Sequence, residues 1–105
     1  MEPRISLITL GVKDLDVSRR FYRDGLGLPL RDGPDVIAFF TTSGTWLSLY
    51  ARESLAADAQ VEPEGSGFRG FALAHNVRTR EEVDATLEQA VAAGATLQKK
   101  AQEAD

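Results

Sequence analysis

Cysteine is absent from this chain of 105 residues, and histidine occurs once, as His75. The first absence removes disulfide frameworks, thiolate nucleophiles and cysteine metal sites together, and it fits a reducing cytoplasm. A lone histidine with no carboxylate placed beside it makes a poor ligand set or general base, so His75 reads as structural or surface-lying. Basic excess is also lacking. With 12 Lys and Arg against 16 Asp and Glu, the net charge is −4 and the pI about 5.0, so nucleic acid and anionic membranes are not expected partners. The longest apolar run, 36–40, is far too short to span a bilayer, and residues 5–10 lack the cleavage site of a signal peptide. Small molecules remain open as partners.

What is present is one globular domain's worth of patterned sequence, 43% apolar and 27% charged. The stretch 5–27 organises it. Ser6, Ile8, Leu10 and Val12 share one face of a strand at period two, and Leu7, Thr9 and Gly11 the other. Asp14 then caps a helix whose apolar stripe is Leu15, Val17, Phe21, Tyr22 and Leu26, stopped at Gly25 and Gly27. A short strand is expected at 28–30 and a turn at 32–35. Strands at 36–41 and 45–50 follow, joined through Thr42, Ser43 and Gly44. In the second of these, Leu47 and Leu49 point one way, and Trp46, Ser48 and Tyr50 the other. That triplet combines aromatic area with hydroxyls, the composition of a ligand-facing wall.

Residues 52–59 suit a short helix, and 60–67 an exposed linker. A strand is expected at 68–77. Thr79 with Glu82 forms a capping box for a helix with Val83, Leu87, Ala90 and Val91 as its stripe and Gly94 as its end. Residues 77–94 thus repeat 12–27 in order and kind, which reads as an internal duplication. The second copy is short, since 95–99 supplies one strand where the first copy has three. A chain cut from a longer protein, or a partner chain that completes the sheet, are the two explanations, and truncation is the favoured one because open edges are normally covered.

Val12-Lys13-Asp14-Leu15, then Ser18, Phe21-Tyr22 and Leu26-Gly27-Leu28 resemble the opening motif of the vicinal oxygen chelate superfamily, which includes glyoxalase I, extradiol dioxygenases, fosfomycin resistance enzymes and bleomycin-binding proteins. The resemblance implies an α+β fold of paired βαβββ modules, a glyoxalase-like fold with its second module incomplete here. The modules would be 1–59 and 68–105, with 60–67 between them. It also implies a homodimer. In the superfamily's metal enzymes each module offers two His, Gln or Glu ligands, and the matching positions here are Leu7, Ser48 and Ala72, the fourth lying in the missing tail. None suits a divalent ion. The expectation is therefore a cytoplasmic, metal-independent protein binding a small organic ligand in the cup of the sheet, its wall formed by Leu7, Thr9, Trp46, Ser48, Tyr50, Ala72 and Asn76. No catalytic residue, cofactor or metal is expected. The alternative is a metal-dependent lyase or dioxygenase whose ligands lie in the missing tail, and divalent metal enters only there. A module that serves only to dimerise is the third possibility.

Overall fold

The computed structural model describes residues 1–103. The chain has an α+β fold and divides into two compact units, Met1–Gly65 and Ser66–Asp105. In the first unit, strand β1 (Leu7–Val12) leads to helix α1 (Leu15–Arg20), and strands β2 (Ile37–Phe40) and β3 (Trp46–Ala51) complete a sheet of order β1-β3-β2. The middle strand is the last to be made. β1 runs parallel to β3, Leu7 opposite Trp46 and Thr9 opposite Ser48, whereas β2 is antiparallel to it, Phe39 opposite Ser48.

Helix α1 starts where its sequence directs: Asp14 is extended and its carboxylate accepts a hydrogen bond from the Val17 N–H at 3.1 Å. The helix then widens. Phe21–Gly25 forms a π-helical turn, and the Leu26 N–H reaches the Phe21 carbonyl five residues back at 2.9 Å. Gly27, at φ +76°, ends it, and the Leu28 N–H caps the Tyr22 carbonyl at 3.0 Å. The strand expected at 28–30 is reduced to one bridge, Leu30 opposite Phe40, because Pro29 has no N–H to give to a ladder.

The core of this unit lies between the sheet and α1 with its π-helical turn. Phe40 and Leu49 are fully buried, Ala38 and Leu47 are buried beside them, and Leu10, Val12, Leu15, Tyr22, Leu28 and Leu30 pack around them. Burying each large apolar side chain contributes about 1.5–3 kcal/mol. Tyr22 lies edge-on to Phe21, ring centroids 5.0 Å apart, and 5.9 Å from Phe40; burial raises its phenol above the usual value. Helix α2 (Arg52–Ala59) follows β3 directly and ends at Gln60 in the left-handed conformation. Arg52 Nε donates to the Pro63 carbonyl at 2.6 Å, which ties the following loop to the start of the helix.

The second unit contains helix α3 (Arg80–Ala92), with Thr79 accepting from the Glu82 N–H at 3.1 Å while its own hydroxyl meets the Glu82 carboxylate. Gly94 has φ +117°. Within the expected stripe Leu87 and Ala90 are half-buried, but Val83 and Val91 are exposed. Two expected strands are not formed. Residues 68–77 and 95–99 enter no ladder, and Phe68, Phe71 and Leu73 are exposed. The reason is that a strand acquires its hydrogen bonds from neighbours, and among the described residues neither segment has one.

Candidate functional site

Register decides which side chains share the sheet face opposite the core. Residues directly opposite in neighbouring strands project to the same side, and alternate residues along a strand do too. Leu7, Thr9 and Gly11 of β1 therefore join Trp46, Ser48 and Tyr50 of β3 and Ile37 and Phe39 of β2. Five of the seven residues expected to line a ligand site are brought together here. The remaining two, Ala72 and Asn76, belong to the second unit, where both are exposed in a segment that is neither helix nor strand.

The face is not uniform along the strands. At one end α2 lies over it: a Cβ placed on Gly11 would come within 3.1 Å of Leu55 Cδ2 and 3.3 Å of Arg52 Cα, so glycine is what lets the helix approach. In the middle, the Thr9 and Ser48 hydroxyls are 2.6 Å apart. Ser48 has no exposed surface, and its hydroxyl is spent on Thr9. At the other end the face is open. Leu7, Phe39, Gly44 and Trp46 line a depression whose rim includes Arg4 and Thr45. Trp46 is half-buried.

Sequence reasoning missed three members of this face. Ile37 and Phe39 were legible in principle, because the hairpin closed at Gly44, with its φ of +75°, sets the register of β2 on β3. Arg31 was not. Its N–H donates to the Phe39 carbonyl at 2.9 Å, next to the Leu30–Phe40 bridge, and its guanidinium carbon stands 5.8 Å from the centre of the Trp46 ring. That contact joins residues 15 positions apart in sequence.

Among the described residues, the positions matched to metal ligands do not suit a divalent cation. Of the positions matched to metal ligands, Leu7 and Ala72 carry no donor atom, and the Ser48 hydroxyl is enclosed and already bonded. Among the described residues no three His, Cys, Asp or Glu side chains converge, and His75 is exposed. Arg23 and Asp24 are an exposed pair at 2.8 Å on the π-helical turn, away from this face, where the mutual hydrogen bond raises the arginine and lowers the carboxyl.

The model of the Glyoxalase/Bleomycin resistance protein/Dioxygenase superfamily matches residues 4–104. The chain belongs to that superfamily. Among solved structures, a glyoxalase-related enzyme from Fulvimarina pelagi is 37% identical with a TM-score of 0.76, the match covering 88% of this chain and 66% of that one. A glyoxalase/bleomycin resistance protein/dioxygenase family enzyme from Burkholderia phytofirmans PsJN gives 28% identity and a TM-score of 0.80 over 96% of this chain and 81% of its own. A lactoylglutathione lyase from Agrobacterium tumefaciens gives 26% and 0.66, over 94% and 76%. The chain thus spans just under two thirds of the first of these superfamily members. No curated protein matches it. No helix among the described residues is long and apolar enough to cross a membrane.

Proposed function

We propose that this superfamily member binds a small organic molecule on the sheet face of its first unit, by shape and stacking and without a metal ion. One observation carries the proposal: an aromatic and apolar wall, Leu7, Phe39 and Trp46, stands open at one end of a sheet whose central hydroxyls, Thr9 and Ser48, are paired with each other. Such a surface favours a planar or apolar ligand. Thr9 and Tyr50 extend the wall beyond the depression. Homodimerisation in the cytoplasm accompanies this proposal, since β1 leaves an edge of the sheet unpaired among the described residues.

The second reading is a metal-dependent lyase or dioxygenase, favoured by the 26% identity to a lactoylglutathione lyase. Isothermal titration of the purified protein with Ni²⁺, Zn²⁺, Mn²⁺ and Fe²⁺ separates the two. Metal-independent binding predicts no stoichiometric uptake. One tightly held ion per chain, with ligand binding lost on chelation, would overturn it.

A further inference from the structure

The small-molecule proposal above leaves the chemistry of the ligand open, and Arg31 narrows it. Its main chain is held by the hydrogen bond to Phe39, so the side chain starts from a defined point on the Trp46 face. Its guanidinium lies over the indole, 5.8 Å from the ring centre. Three other arginines have partners: Arg19 with Asp16, Arg23 with Asp24, and Arg4, on the rim of the depression, with Glu2. Arg31 makes no ion pair with any described residue, although the chain as a whole carries an excess of acid.

From this juxtaposition we infer that the face takes a planar aromatic monocarboxylate, its ring on Trp46 and its carboxylate on Arg31. This inference rests on the small-molecule reading and adds the ligand's charge to it. A guanidinium is a planar fork that accepts a carboxylate through two parallel hydrogen bonds, and its weak hydration lets it remain on an aromatic surface while doing so. One guanidinium outside any ion pair among the described residues matches one negative charge. A cationic ligand is disfavoured, because stacking on Trp46 would bring it against Arg31. A neutral aromatic gains the stacking but leaves the guanidinium with water alone.

The test uses the full chain labelled with nitrogen-15, since Trp46 is the only tryptophan and its indole N–H gives one resonance. Titration with 2-naphthoate is expected to move that resonance saturably, with a Kd roughly tenfold below that of 2-naphthamide, the scale of one charge-assisted hydrogen-bonded pair. Arg31→Gln is expected to bring the two Kd values together by weakening naphthoate alone, and Arg31→Lys to restore part of the difference. Equal binding of acid and amide by the unaltered protein would overturn the inference while leaving the small-molecule reading intact. A preference that survives Arg31→Gln would overturn the role of Arg31. An indole signal that responds to neither compound would overturn both.

Discussion

Replacing Thr9 by valine keeps the shape of the side chain and removes one hydroxyl, and its cost follows from which atom is left behind. The two hydroxyls are 2.6 Å apart, and Ser48 has no exposed surface. In Thr9→Val the Ser48 hydroxyl is orphaned where no water reaches it, which is expected to cost about 1–3 kcal/mol. In Ser48→Ala the orphan is the Thr9 hydroxyl, which is half-exposed and turns to solvent, so only the net value of the hydrogen bond is lost, about 0.5–1.5 kcal/mol. The double variant has no orphan. Its destabilisation is expected to fall short of the sum of the singles by roughly 1 kcal/mol, the coupling of the pair. Urea unfolding read by the fluorescence of Trp46, two residues from Ser48 on the same strand, measures all four proteins. Ser48→Ala costing as much as Thr9→Val, with strictly additive losses in the double variant, would refute the picture of an enclosed, mutually satisfied pair.

Leu49→Ala empties a fully buried site in the middle strand and is expected to cost about 2–5 kcal/mol, whereas Ile8→Ala, at a position 38% exposed, costs less; equal losses by the same unfolding assay would contradict the core assignment. Gly11→Ala drives a methyl to 3.1 Å from Leu55 Cδ2 and 3.3 Å from Arg52 Cα. The leucine tip can yield but the backbone cannot, so about 1–3 kcal/mol is expected, and a neutral result by thermal denaturation would mean that α2 does not lie against β1. Tyr22 titrates above its ordinary value of 10.0 because burial disfavours the phenolate. Its contribution is therefore complete below pH 10 and lost as pH rises through the higher folded value, so Tyr22→Phe is expected to flatten the alkaline limb of a stability profile measured by urea titration.

Elements built from near neighbours were legible in the chain itself. The Asp14 and Thr79 caps, the span of α2, the helix stop at Gly27 and the hairpin at Gly44 all follow from hydrogen bonds and backbone angles spanning a few residues. So did five residues of the sheet face, because strand alternation needs no knowledge of the partner. The motif beginning at Val12 identified the superfamily for the same reason, each of its anchors answering to a local need.

Tertiary structure alone decided the rest, and in each case the deciding partner is remote in sequence. The placement of β3 between β1 and β2, the burial of Ser48 against Thr9 39 positions away, and the approach of α2 to Gly11 all depend on the sheet having been assembled. Residues 68–77 have the alternation of a strand yet enter no ladder, because apolar pattern is a property of a segment and pairing is a property of two. Arg31 is the clearest instance. In sequence it is one more basic residue in a loop, and only the fold sets its guanidinium over Trp46, outside any ion pair among the described residues.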